Sequence, residues 1–217
     1  MGKSIKIDFV SDVSCPWCAI GLNALERALA NIGAEAAPEL RFQPFELNPN
    51  MGPEGQDITE HLRQKYGASA EQQEQTRAMI RQRGADVGFD FAMGKRSRIY
   101  NTFDAHRLLH WAGELGPQAQ GALKHALFEA YFTLGADPSA HPVLAAAAAK
   151  AGLDPVEAAA VLASGRYAAE VRELELFYQR QGIGSVPAVV INDRHLISGG
   201  QPAEVFERVL REILAAS

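Results

Sequence analysis

The sequence predicts an α/β protein in which a small sheet domain is interrupted by a large all-helical insertion. Three observations predict it. A strand–helix–strand pattern fills the first fifty residues, helical periodicity then runs for over a hundred residues, and short β-branched strands return before a closing amphipathic helix. The expected division is 1–50 with 166–217 for the sheet domain and 51–165 for the insertion.

The elements follow in order. "KIDFV" (Lys6 to Val10) is β-prone and reads as a first strand. "CAIGLNALERALANIG" then places Ile20, Leu22, Leu25, Ala28, Leu29 and Ile32 on helical spacing and stops at Gly33. "ELRFQPFEL" (Glu39 to Leu47) reads as a second strand, so the first three elements form a βαβ unit. "NPNMGPEGQD" is a Pro/Gly loop into the insertion. There Asp57 with Glu60, Ser69 with Gln72, and Asp154 with Pro155 and Glu157 read as helix starts. Gly84, Gly116, Gly135, Gly152 and Gly165 fall where helices stop, and Leu123, Ala126, Leu127, Ala130, Tyr131 and Leu134 share one helical face. A helix ending at Gly182 follows, then "PAVVIN" and "HLISGG" as paired strands across Asn192-Asp193-Arg194. "PAEVFERVLREIL" closes the chain as a helix with Pro202 in its first turn.

The 217 residues are 47% hydrophobic and 22% charged, with a formal net charge of −5. The scattered "GKRSR" near Lys95 is the densest basic stretch, so neither nucleic acid nor an anionic membrane is an expected partner. "MGKSIKIDFV" enters a strand with no secretory-signal pattern, and "VLAAAAAKAG" is too short and Ala-rich to span a bilayer. A cytosolic address is expected, and cytosol keeps thiols reduced, which argues against a structural staple.

Both cysteines of the chain lie in "SDVSCPWCAIG", at Cys15 and Cys18. Three uses compete. A zinc site needs about four ligands, and the pair supplies two. His106 and His110 in "HRLLH" complete a formal inventory, but they lack the intervening glutamate of a catalytic zinc helix, so no metal is expected. An incidental pair of buried thiols does not explain the spacing at a strand–helix junction with Pro16 at the first helical position. A redox couple does. Cys15 at the helix start meets unpaired N–H groups and a dipole that favour a thiolate, Cys18 lies one turn on as resolver, and Trp17 offers an apolar face beside an exposed thiol. Val186-Pro187 in "GSVPAVVIN", just before a strand, adds a second motif, because a proline at a strand start is tolerated only where no ladder N–H is required.

Taken with "DFVSDVSCPWC", "FQPFELNPNM", "NTFDAHRLLHWA" and "ISGGQP", these motifs make the whole chain resemble a thioredoxin-like fold of the DsbA type with its helical insertion. It is most similar to the FrnE-like branch, grouped with 2-hydroxychromene-2-carboxylate isomerases and kappa-class glutathione transferases. The resemblance implies Cys15 as nucleophile, Cys18 as resolver and Pro187 as a cis-proline. The expected activity is that of a cytosolic thiol-disulfide oxidoreductase or disulfide isomerase acting on disulfide-containing proteins or small molecules. No tightly bound cofactor is expected; glutathione is a candidate reductant or co-substrate, and a homodimer is expected by kappa-class analogy. The isomerase and transferase members usually carry Ser where this chain has Cys, so two cysteines favour dithiol chemistry. The Pro-Trp dipeptide lacks the His of strongly oxidising DsbA, which implies a more reducing couple.

The same resemblance suggests further site residues. Pro16, Trp17, Val186, Pro187, His106 and Asn48 are expected on the substrate groove, with Arg107 either beside them or on a solvated helix face. Asp8 is the candidate proton relay and Asp12 its rival. Gly199, Gly200 and Gln201 are expected to offer N–H groups to a glutathione carboxylate. The rival functions are a glutathione-dependent isomerase or transferase of aromatic substrates, and a redox-linked chaperone.

Overall fold

The computed structural model describes residues 2–216. β1 (Lys3–Ser11) lies inside a four-stranded mixed sheet of order β2-β1-β5-β6. It pairs in parallel with β2 (Ala36–Pro44) over the full strand, from Lys3 opposite Ala36 to Ser11 opposite Pro44. On its other side it pairs antiparallel with β5 (Ala188–Ile191), which pairs with β6 (His195–Ser198). β2 starts earlier than expected and ends at Pro44, which has no N–H to continue a ladder. The β5–β6 connection turns on Asn192 and Asp193, both at positive φ, as a tight hairpin of this twist requires.

Alternation along β1 sorts two layers. Ile5, Ile7 and Phe9 face α1 (Pro16–Ile32), and the closing helix, numbered α9 in chain order (Ala203–Ala216), adds Phe206, Leu210, Ile213 and Leu214 to that core. Val10 faces the other way, into a cluster with Phe45, Ile183, Ala188 and Tyr178 of α8 (Ala168–Arg180). Between β2 and α8 lie α2 (Ile58–Tyr66), α3 (Ala70–Asp86), α4 (Phe103–Leu115), α5 (Pro117–Phe128), α6 (His141–Lys150) and α7 (Pro155–Ala163). α4 to α7 pack through an Ala/Leu-rich core that also takes Val13 from the turn after β1. In turn Ile80, Phe91, Phe128, Tyr131 and Phe132 join the core under the sheet. Among the described residues, no helix is long and apolar enough to cross a membrane.

The expected caps form. Asp57 accepts from the Glu60 N–H, Ser69 and Gln72 make a reciprocal capping box, and Asp154 accepts from the Val156 N–H. Three expectations are corrected. The inserted segment is not all-helical, because β3 (Gln56–Asp57) pairs antiparallel with β4 (Arg98–Ile99). Two-residue strands have no period to read, and these partners are distant in sequence. Gly84 does not stop a helix. It is buried inside α3 because the Phe91 ring lies against it, where an added Cβ would come within 2.4 Å. Leu134 is 56% exposed, because the chain leaves α5 through a π-helical turn (Glu129–Thr133) that rotates it off the buried face.

Candidate active site at the start of the first helix

β1 delivers the chain to α1 through a turn that Asp12 holds. One carboxylate oxygen accepts from the Ser14 N–H (2.9 Å) and the other from the Leu47 N–H (2.7 Å). The Asp12 carbonyl accepts from the Cys15 N–H (3.2 Å), so the N-cap of α1 is positioned from both chain directions. Burial alone pushes the Asp12 carboxyl upward. The nearby His106 imidazole and the Ser14 and Leu47 amides outweigh it and hold the carboxyl below its usual range.

Cys15 and Cys18 are both free thiols. Cys15 is the N-cap of α1 with extended backbone, Pro16 follows in the first turn, and no side chain caps the helix amides. The Cys15 thiol donates to the Val186 carbonyl at 3.6 Å, and the Val186–Pro187 peptide bond is cis. The sequence separates these motifs by most of the chain; antiparallel pairing of β5 with β1 brings them together. Pro187 is then locked in place. Its carbonyl accepts from the Gly199 N–H (2.8 Å), and a Cβ on Gly21 of α1 would lie 3.1 Å from the Pro187 ring and 3.2 Å from Gly200. A Cβ on Gly200 would lie 2.8 Å from the Trp17 carbonyl.

Cys18 is fully buried and Cys15 is 3% exposed, so the Cys15 thiol is more covered than the exposed thiol expected. Trp17 is half-buried against the core beside it. Burial drives the Cys18 thiol well above its usual range, the hydrogen bond and charge of Cys15 add to this, and Lys124 opposes it. Such a thiol stays protonated at neutral pH unless something nearby takes its proton.

The remaining expected residues divide. Asp8, not Asp12, is the one set apart from the thiols. It lies on the α8 side of β1, buried, accepting from Gln43 Nε2 at 2.6 Å and paired with Lys6 at 3.2 Å. His106 is not on a groove wall: it is 2% exposed, with Nε2 3.1 Å from the Phe45 carbonyl and 3.9 Å from Asp12. Arg107 is neither in the groove nor solvated. It is buried, and its guanidinium binds the Val161 carbonyl in the last turn of α7, the Ser164 and Arg166 carbonyls just past it, and the Asp104 carboxylate. Asn48 sits on the open loop after β2, its Oδ1 accepting from Lys65 Nζ at 2.8 Å. The Gly199 and Gln201 N–H groups are taken by internal carbonyls, those of Pro187 and Gly199.

Three residues of the inserted segment lie within range of the dithiol's charge and were not expected there. Tyr66, at the end of α2, and Arg96, stacked about equally on Tyr131 (5.2 Å) and Phe132 (5.1 Å), both feel the charge of Cys15. Lys124 of α5 feels both cysteines and Asp12. A readable signal existed only for Lys124, three residues before Leu127 and seven before Tyr131, which is a lysine on an apolar stripe.

A dithiol at the start of the helix that follows a central strand, faced by a cis-proline on the adjoining strand, defines a thioredoxin-fold protein, here with helices inserted between the fold's two halves. The chain belongs to the DSBA-like thioredoxin domain family, whose profile matches residues 6–211. It is similar to a probable DsbA oxidoreductase from Streptomyces coelicolor, at 34% identity and a TM-score of 0.86, covering 96% of this chain and 89% of that one. A 2-hydroxychromene-2-carboxylate isomerase shares the fold at 16% identity and a TM-score of 0.70, covering 98% and 99% of the two chains. So does the cytosolic disulfide reductase DsbM of Pseudomonas aeruginosa, solved with GSH, at 16% identity and a TM-score of 0.67, covering 97% and 99%.

Proposed function

We propose that the protein is a cytosolic thiol-disulfide oxidoreductase that cycles Cys15 and Cys18 between dithiol and disulfide. The observation that carries this reading is the Cys15 thiol at the start of α1, 3.6 Å from the carbonyl that precedes the cis-proline. The Cys15 thiolate attacks one sulfur of a substrate disulfide. That S–S bond breaks, a mixed disulfide forms, and the departing substrate thiolate takes a proton. Cys18 then loses its proton and attacks Cys15 Sγ, which closes the Cys15–Cys18 bond and frees the second substrate thiol. Two electrons have passed to the substrate. Two molecules of glutathione return them, leaving glutathione disulfide, and the reverse direction oxidises a substrate dithiol. The DsbA-type relative at 34% identity supports the chemistry. The reductase neighbour solved with GSH supports glutathione as the exchanging thiol.

The test is capture. In a Cys18→Ala variant the mixed disulfide has no resolving thiol, so incubation with glutathione disulfide is expected to leave one glutathione on Cys15, visible as a mass increment that a reductant removes. A Cys18→Ala protein that stays unmodified while Cys15 is free contradicts the reading.

A further inference from the structure

Lys124 is fully buried, and its ammonium nitrogen has no hydrogen-bond partner among the described residues. It sits 4.8 Å from the centroid of the Phe128 ring, which belongs to the same apolar cluster as Cys15 and Cys18. A lone buried ammonium is costly, and one aromatic face only partly replaces its water. The ionisable groups whose charge acts on it are Cys18, Asp12 and Cys15, in that order of strength. Behind these, His106 and Lys65 face Asp12, while Arg96 and Tyr66 face Cys15. Asp12 is already engaged by two backbone amides, and Asp8 lies on the far side of the sheet. Cys18 shares a hydrogen bond with Cys15, a partner it loses once Cys15 Sγ is tied up in a mixed disulfide, and the unpartnered Lys124 amine is then the group left to take its proton.

We propose that Lys124 is the proton acceptor and charge partner of Cys18 in the resolving step. The inference rests on the dithiol reading above. Neutral Lys124 takes the Cys18 proton and becomes an ammonium. The thiolate so formed attacks Cys15 Sγ, the Cys15–substrate bond breaks, and the departing substrate thiolate carries away a proton, which leaves Lys124 neutral again. Burial brings the Lys124 pKa down to about 8, against the pull of the thiols and Asp12, which lets the amine accept a proton near neutral pH.

The full-length reduced protein, mixed with 5,5′-dithiobis(2-nitrobenzoate) in a stopped-flow instrument, releases thionitrobenzoate twice: first when Cys15 attacks, then when Cys18 resolves the mixed disulfide. The second phase is expected to accelerate with pH through an inflection near 8, as Lys124 loses its proton. In Lys124→Met that phase is expected to slow about a hundredfold at pH 7, with its inflection moved up toward the titration of Cys18 itself, while the first phase, which draws no proton from Cys18, slows far less. Lys124→Arg restores the charge but not a proton acceptor, and is expected to stay slow. A second phase in Lys124→Met with wild-type rate and inflection overturns the assignment and leaves the dithiol reading standing. A wild-type second phase that is flat between pH 7 and 9 overturns it without any variant. A wild type that releases only the first thionitrobenzoate overturns both.

Discussion

Replacing Cys15 with Ser is expected to abolish disulfide exchange, reducing turnover of a model disulfide to its uncatalysed rate. Only a thiolate attacks sulfur at useful rates near neutral pH, and a serine oxygen can neither attack nor form the disulfide that stores the electrons. The fold gives no reason for a large stability change to accompany that loss. A serine hydroxyl fills slightly less volume and keeps a donor toward the Val186 carbonyl, which Cys15 now contacts at 3.6 Å. The expected stability change is within about 1 kcal/mol, or a few degrees in melting temperature for a chain of this size. Activity and melting temperature measured on the same preparation check both halves. Exchange continuing at the wild-type rate in Cys15→Ser contradicts the mechanism.

Lys124→Met is expected to do something opposite in kind: stabilise the protein while slowing its resolving step. In the folded state burial lowers the Lys124 pKa from 10.5 to about 8. At about 1.36 kcal/mol for each pKa unit, carrying the ammonium into the interior costs roughly 3 kcal/mol below pH 8. Methionine has nearly the same length and shape and carries no charge, so it removes that cost. The pH dependence has a definite sign. Below pH 8 both folded and unfolded chains hold the proton, and the penalty is complete. Between about 8 and 10.5 the unfolded chain binds more protons than the folded one, so wild-type stability rises with pH relative to the variant. Denaturant melts at pH 7 and pH 10 are therefore expected to show an advantage of roughly 2–3 kcal/mol for Lys124→Met at pH 7, most of it gone at pH 10. An advantage independent of pH, or a variant less stable at pH 7, contradicts the burial argument.

Much of this architecture was legible in the chain because it follows short-range rules. The strand feeding Cys15, the helix ending at Gly33, the Ser69–Gln72 box and the turn at Asn192-Asp193 each depend on a few neighbouring residues. The site's centre was legible for a different reason: its two motifs are each unusual on their own, and a known fold brings them together. What escaped depends on packing between distant segments. Gly84 looks like a helix stop until the Phe91 ring is seen against it. Arg107 looks like a groove or surface residue until the carbonyls at and just past the end of α7 turn toward it. Asp8 and Asp12 have the same parity along the chain, and only the departure of the backbone from β1 after Ser11 swings Asp12 toward the helix start. Lys124 offered the one sequence signal that went unused. A charged residue on an otherwise apolar stripe must find a reason to be buried, and the thiols supply it.

Cys15 and Cys18 are expected to form a working two-electron couple, and a redox titration reads this out. The protein is equilibrated across ratios of glutathione to glutathione disulfide, the thiols are trapped by alkylation, and the Trp17 fluorescence is followed alongside. One reversible transition is expected, in which both thiols disappear together, between about −120 mV and about −270 mV, the span set by strongly oxidising and strongly reducing members of this chemistry. Thiols that stay free, or stay locked in a disulfide, at every ratio would contradict it.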